Sequence, residues 1–367
     1  MENLLKNIYT PIFFDRFTDA VSDVIVDFDK TLFLAKIYDS SWEQRELKQR
    51  MKHIAATLHE FLPNTYDGAI SSIKQIITAI RKRGTKEMSL EYMFFPEYIE
   101  IFGINHFNTS VDALEFVTQF TSCEFAVRPF MIQYHDDMIV QMTKWSKHES
   151  HLVRRFSSEG ARPRLPWAMA LPALKKDPTD ILPILDNLKD DASEFVRRSV
   201  ANNLNDIAKD HPDVVLATII AWKGTSSNTD WVIKHGSRTL LKKAHPEVLA
   251  FFGLEKVKDV EISALALQND QISIGDSLLF SFELINKNTQ PVKLRLEYGI
   301  DYMKANGKQN RKLFKITENT YEPNKVYTFN RTQTFRDMTT RKHYLGAHRI
   351  TILINGQEFA SHEFQVI

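Results

Sequence analysis

Cysteine is nearly missing: Cys123 is the single one in 367 residues. That excludes an intrachain disulfide and a cysteine-rich metal site, and it favours a reducing compartment over secretion. Glycine and proline number 12 and 13, too few for a collagen-like or low-complexity chain. An excess of either charge is missing too. With 47 Lys+Arg against 46 Asp+Glu the net charge is +1, so any argument from charge has to be local. No apolar run approaches the roughly 18 residues of a membrane span. The opening MENLLKNIYTPIFFDRF sets acids and aromatics where a secretory signal has a basic tip and an unbroken apolar core. The expectation is a cytoplasmic protein of two or three domains, with no membrane association.

What is present changes character near residue 255. Before it, SSIKQIITAIRK (71–82) and SEFVRRSVANNLNDIAK (193–209) repeat apolar residues three and four apart, the mark of amphipathic helices. After it, LLFSFELIN, VKLRLEYGIDYM, VYTFNRTQTF and HRITILIN alternate apolar with polar residues, and Asn306-Gly307 and Asn355-Gly356 punctuate them. That rhythm reads as about seven short strands of an immunoglobulin-like sandwich. The expected domains are 1–255, helical, and 256–367, all-β. From Lys256 onward there are 16 Lys+Arg and 12 Asp+Glu, a net +4, which leaves −3 for the helical part.

Weak internal repetition marks the helical part. FVRRSVANNLNDIAKDHPDV from Phe195 is echoed by WVIKHGSRTLLKKAHPEV from Trp231, each ending in a His-Pro-acid turn, with related starts at FAVRPF and LVRRF. Helix pairs at a period of roughly 35 to 45 residues predict a HEAT-like α-helical repeat solenoid, whose concave face suits something long.

The most unusual stretch is LVRRFSSEGARPRLPW (152–167). Lys144 to Trp167 hold six basic residues and two acids, and Gly160, Pro163 and Pro166 interrupt the helix. Arg162, Arg164 and Trp167 are therefore expected on an irregular connection, where guanidinium and indole suit phosphates and sugar or base faces. The alternative is a proline-rich loop whose tryptophan plugs the core.

The runs CEFAVRPF (123–130), SSEGARPRLPW (157–167) and FVRRSVANNLNDIAKDHPD (195–213) together resemble the AlkC branch of the HEAT-like repeat DNA alkylation-repair glycosylases, some members of which carry a C-terminal immunoglobulin-like domain. The resemblance is clearest over about 120–250. It implies hydrolysis of the N-glycosidic bond of N3-methylated adenine, and to some extent of N3-methylated cytosine, in double-stranded DNA. It implies further that no deep pocket receives the base and that an abasic site is left. Carried over, it points to Glu124, Glu159, Trp167 and Asp206 as candidate catalytic residues, and to Arg155, Arg162 and Arg164 as DNA contacts. In the strand-rich tail it points to RDMTTRKHYLGAHRI (336–350), with Arg341, Lys342 and His343 as DNA contacts. It implies no cofactor and no metal, and a monomer is expected. His343 and His348 have no acid or cysteine at ligand spacing to complete a metal site.

The residue types fit that chemistry on physical grounds. A base alkylated at N3 is cationic and already a good leaving group, so the charge to stabilise is the oxocarbenium-like centre on the sugar. A fixed carboxylate and an electron-rich ring do so. Structural alternatives stay open at each acid: Asp206 pairing with Arg198, Glu159 supporting Arg155 one turn earlier. Two competing functions differ in class. VIVDFDKTLF (24–33) places Asp27, Asp29 and Thr31 in the DxDxT pattern of haloacid-dehalogenase-type phosphatases, which requires a parallel α/β sheet. A helical repeat protein can also be a non-enzymatic scaffold for DNA or protein.

Overall fold

Short polar side chains open several helices of this chain. In the computed structural model, which describes residues 4–338 and 341–367, the Thr10 hydroxyl accepts the Phe13 amide at 3.1 Å, the Asp29 carboxylate that of Leu32 at 2.9 Å and the Thr65 hydroxyl that of Gly68 at 3.3 Å. Each satisfies an amide that a helix start leaves without a partner, worth about 1 kcal/mol. Asp29 thus caps a helix instead of ending a strand. No strand precedes Val260 among the described residues, so the DxDxT run lacks the sheet that its phosphatase reading requires, and that reading is withdrawn.

The helices are α1 (Pro11–Ser22), α2 (Lys30–Ile37), α3 (Leu47–His59), α4 (Tyr66–Lys82), α5 (Phe94–Phe102), α6 (Phe107–Thr118), α7 (Val127–Gln133), α8 (His135–Trp145) and α9 (His151–Gly160). They continue with α10 (Pro172–Lys176), α11 (Leu182–Leu188), α12 (Glu194–Ile207), α13 (Pro212–Trp222), α14 (Ser227–Gly236), α15 (Arg238–Lys242) and α16 (Pro246–Phe251). The strands are β1 (Val260–Leu267), β2 (Gln271–Ile272), β3 (Ser277–Asn286), β4 (Val292–Met303), β5 (Gln309–Tyr321), β6 (Val326–Thr334), β7 (Gly346–Ile354) and β8 (Gln357–Val366). The two His-Pro-acid turns are helix starts. Pro212 opens α13 with Asp213 in its first turn, and Pro246 opens α16 with Glu247, where proline loses no hydrogen bond and the acid meets the helix dipole. No helix among the described residues is long and apolar enough to cross a membrane.

The described residues pack as two units, one running to Val215 and resuming over Ala221–Gly236, the other made of Leu216–Ile220 and Ser237–Ile367. In the helical unit α3 packs on α5, α4 on α6, and α12 on both α9 and α14. The apolar spacing explains the contacts: α4 buries Ile70, Ile73, Ile77 and Ile80 on one face, and α12 buries Val196, Val200, Leu204 and Ile207. Burying each such side chain stabilises the fold by roughly 1.5–3 kcal/mol. Small residues set how closely helices approach. A Cβ on Gly160 at the end of α9 would lie 2.8 Å from Val127 Cγ1 of α7 and 3.2 Å from Met142 Cε of α8.

The second unit holds the strands. β1-β3-β6 form a three-stranded antiparallel sheet, and β2-β8-β7-β4-β5 a five-stranded one, antiparallel except where β2 meets β8. Against the expected seven or so, eight strands are found among the described residues, β2 being only two residues long. Phe280 and Phe282 from one sheet share a core with Tyr298, Ile300, Ile350, Ile352 and Phe364 from the other, the packing of a two-sheet sandwich. Asn355 and Gly356, both at positive φ, make the primed turn that a two-residue hairpin prefers. At Asn306-Gly307 only the glycine has positive φ, and its amide donates to Lys304 O at 2.9 Å. That is a longer loop, closed by glycine after an ordinary turn.

Gly160→Ala is expected to lower stability by about 1–3 kcal/mol, because overpacking against Val127 and Met142 outweighs the gain of up to about 1 kcal/mol in helix propensity. Urea denaturation measures it, and a raised midpoint would contradict the close α7–α9 approach.

Candidate active site

Three stretches of the helical unit meet through charge. Glu124 stands in the turn ahead of α7. Arg155 and Glu159 lie one turn apart on α9, with Arg162 just past its end, and Asp206 is in the last turn of α12. Arg155 Nη1 donates to Glu124 Oε2 at 2.5 Å and to Ser122 Oγ at 3.1 Å, and the Ser122 hydroxyl donates to the same carboxylate. The Arg155 guanidinium lies 4.5 Å from the Phe195 ring centroid and its Nη2 is 3.8 Å from Glu159 Oε1. Glu159 Oε1 accepts from Arg162 Nη1 at 2.7 Å and Oε2 from Ser199 Oγ at 2.6 Å. Arg162 Nε donates to Asp206 Oδ2 at 2.8 Å, and Lys209 Nζ to Oδ1 at 2.8 Å. The product is one continuous chain, Glu124, Arg155, Glu159, Arg162, Asp206, Lys209.

Its inner members are buried: Glu159, Arg162 and Asp206 are each at most 7% exposed. Burial works against the charge of Arg162, but Glu159 and Asp206 together outweigh it and raise its pKa. The expectation that the irregular connection displays Arg162 is therefore corrected. Two of its nitrogens are committed to carboxylates, and its role in the folded chain is to cross-link α9 and α12. Arg164, half-exposed, pairs with Asp210 at 2.9 and 2.7 Å. Asp206 does not pair with Arg198, which bonds Glu194 on its own helix.

Trp167 does not plug the core. It is 71% exposed and its φ is +64°, a left-handed conformation that costs a bulky residue about 1–3 kcal/mol and persists only where neighbours hold it. Two cations hold it. Lys48 Nζ donates to the Trp167 carbonyl and lies 4.3 Å from the Phe125 ring centroid, next to Glu124. Arg128, buried on α7, donates from Nε to Met169 O and from Nη1 to Gly160 O at 3.2 Å, so it grips both ends of the connection. Burial, then Arg162, push its pKa down to about 10, against Asp206 and Glu159. Sequence reasoning missed both. Arg128 lies inside the quoted CEFAVRPF run but has no partner at helical spacing, and Lys48 sits on a separate helix.

In the strand unit, Lys342 is exposed, and Arg341 is half-exposed with its guanidinium 5.5 Å from the Tyr302 ring centroid. His343 is a correction: it is buried against Tyr302 and Phe335, with Nδ1 3.1 Å from Asp337, so it shapes the turn from inside. Thr339 and Thr340 of that run lie outside the described residues. Lys304 and Lys312, from the β4–β5 hairpin, join Arg341. Burial, then Arg341 and Lys304, lower the pKa of Lys312. No carboxylate among the described residues lies within ion-pair distance of Lys304, Lys312, Arg341 or Lys342. Their positive charge was not legible as a cluster, because β-pairing assembles it from residues far apart in sequence. Among the described residues no group of His, Cys, Asp and Glu is arranged to hold a metal.

Comparison with known proteins places this geometry. Residues 108–244 match the DNA alkylation repair enzyme family, and 261–367 match the C-terminal Ig-like domain of the uncharacterised protein YhaZ. The class is thus a DNA alkylation-repair protein with a helical module followed by an Ig-like module. The uncharacterized protein YhaZ of Bacillus subtilis (strain 168) is 43% identical over 362 residues, 99% of each chain. The Pseudomonas fluorescens alkylpurine DNA glycosylase AlkC, solved bound to DNA containing an abasic site analog, superposes with a TM-score of 0.93 at 34% identity over 99% of each chain. The chain belongs to the AlkC family of alkylation-repair DNA glycosylases.

Arg162→Met is expected to destabilise the fold by about 3–5 kcal/mol, because it strands Glu159 and Asp206 in a buried site without their shared cation. Urea denaturation reads this directly, and a loss below about 1 kcal/mol would mean that the pair is solvent-screened.

Proposed function

We propose that this chain hydrolyses the N-glycosidic bond of cationic alkylated bases, 3-methyladenine and also 3-methylcytosine, in double-stranded DNA and leaves an abasic site. The observation that carries the reading is the chain of three carboxylates, Glu124, Glu159 and Asp206, beside a connection that holds Trp167 exposed. The family relationship supports it, and so does the abasic-site DNA bound to the Pseudomonas protein.

The chemistry follows from charge. The C1′–N bond breaks with its electron pair going to the cationic base, which leaves neutral, while positive charge builds on the sugar. Glu124, at the surface end, faces that charge and takes the proton of the water whose oxygen bonds to C1′, and Asp206, buried at the other end of the ion-pair chain, adds its negative charge to the field at the sugar. The Trp167 π face covers the sugar or the base. Two contacts of about 2 kcal/mol each in the transition state give roughly a thousandfold, enough for a labile substrate. In this reading the buried Glu159 and Arg162 hold Glu124 and Asp206 in place. The paired helices form a HEAT-like solenoid that cradles the duplex without a deep base pocket, and the chain acts as a monomer. Domains 1–255 and 256–367 divide the work, glycosylase and immunoglobulin-like DNA grip. Arg155, Arg164, Arg341 and Lys342 meet phosphates, with Lys304 and Lys312 added by the strand unit. Arg162 and His343, both buried, act as positioning residues and not as direct DNA contacts.

Glu124→Gln and Asp206→Asn are expected to lower single-turnover release of 3-methyladenine by about tenfold to a hundredfold each, with DNA affinity held within about threefold. Trp167→Ala is expected to slow release while changing stability by no more than about 0.5 kcal/mol. Wild-type turnover in both carboxylate variants would contradict the assignment, and a wild-type chain that binds methylated duplex without releasing base would favour the scaffold reading. Lys312→Ala or Arg341→Ala should each reduce the slope of log affinity against log salt by about 0.9. An unchanged slope removes that residue from the interface.

A further inference from the structure

We propose that Lys48 and Arg128 are positioning residues for Trp167, fixing the Gly160–Met169 connection so that the indole stays beside the carboxylate chain. The inference rests on the glycosylase reading above. An exposed indole gains little from packing, and its backbone at φ +64° is strained, so the indole's own contacts are a weak hold on that conformation. Inside the connection, Leu171 N donates to Pro163 O at 3.1 Å and Ala168 N to Leu165 O at 3.3 Å. Arg162 and Arg164 tie its first half to Asp206 and Asp210, and two cations on other helices grip its ends and the Trp167 carbonyl. Arg128 reaches from α7 to the carbonyls at both ends, Gly160 and Met169, and Lys48 reaches from α3 to the Trp167 carbonyl itself.

Arg128 is an expensive way to fill a core. Its side chain is fully buried and its Nη2 has no hydrogen-bond partner, whereas an apolar side chain of similar volume leaves no buried donor unsatisfied. What the planar fork adds is reach to two carbonyls at once in a fixed orientation. The absence of a Cβ at Gly160, which lets α9 lie against α7, brings the nearer carbonyl into range. The charges of Glu159 and Asp206 act on the same guanidinium, so the hold on the connection and the state of the carboxylate chain are electrostatically linked. Lys48 is exposed and makes its second contact over Phe125, the residue after Glu124. One amine therefore joins the strained tryptophan to the turn that bears the first carboxylate.

The test uses the full chain with Trp231→Phe, which leaves Trp167 as the solvent-exposed indole, since Trp42, Trp145 and Trp222 are buried. Single-turnover release of 3-methyladenine from a duplex and iodide quenching of tryptophan emission are measured for Lys48→Met, Lys48→Arg and Arg128→Lys. The expected result is release slowed by about tenfold to a hundredfold in Lys48→Met and Arg128→Lys with duplex affinity changed less than about threefold, an altered quenching constant, and restoration of both by Lys48→Arg. Unchanged release, or slowed release with unaltered quenching, overturns the proposal. If Arg128→Lys does not fold, the surface change Lys48→Met decides alone. A parent chain that releases no base defeats the glycosylase reading, while quenching still judges the positioning claim.

Discussion

The Arg162 guanidinium gives Nη1 to a carboxylate on α9 and Nε to a carboxylate on α12. Those acids lie more than forty residues apart in sequence, and each is buried. Neither acid is tolerable there without the cation, and the cation is not tolerable without both acids. The arrangement also extends outward. Glu159 approaches Arg155, which holds Glu124 at the surface end, and Asp206 reaches Lys209 at the other. The buried centre fixes the geometry, and its half-buried margins remain within reach of a ligand.

Burial divides the labour among these residues. A group sealed in the interior cannot touch a duplex, but it can hold one that does. Glu159, Arg162 and Arg128 occupy that supporting position, and Glu124, Trp167 and Arg164 occupy the accessible one. The same division holds in the strand unit, where His343 packs inside the turn and Arg341 and Lys342 remain at its surface.

The fold was legible in the sequence where periodicity was strong. The isoleucine stripe of α4, the alternation of β3 and the primed turn at Asn355-Gly356 each follow from residue spacing. Glu124, Glu159, Trp167 and Asp206 were legible through short runs resembling a known family. Burial was not. ARPRLPW reads as a uniformly displayed basic connection, yet its first arginine turns inward because Glu159 and Asp206 wait on helices that meet only in three dimensions. Lys48 and the Lys304–Lys312 cluster were illegible for a related reason: their partners lie on other elements, and no local spacing encodes such a meeting.

The measurement closest to the central claim is a double-mutant cycle between Arg162→Met and Asp206→Asn, read both as folding free energy and as single-turnover base release. The account predicts a coupling of at least about 2 kcal/mol in stability and strongly non-additive effects on release, because the two side chains act as one buried unit. Effects that add within about 0.5 kcal/mol in both readouts would mean that the ion-pair chain neither holds α9 to α12 nor positions the acids at its ends.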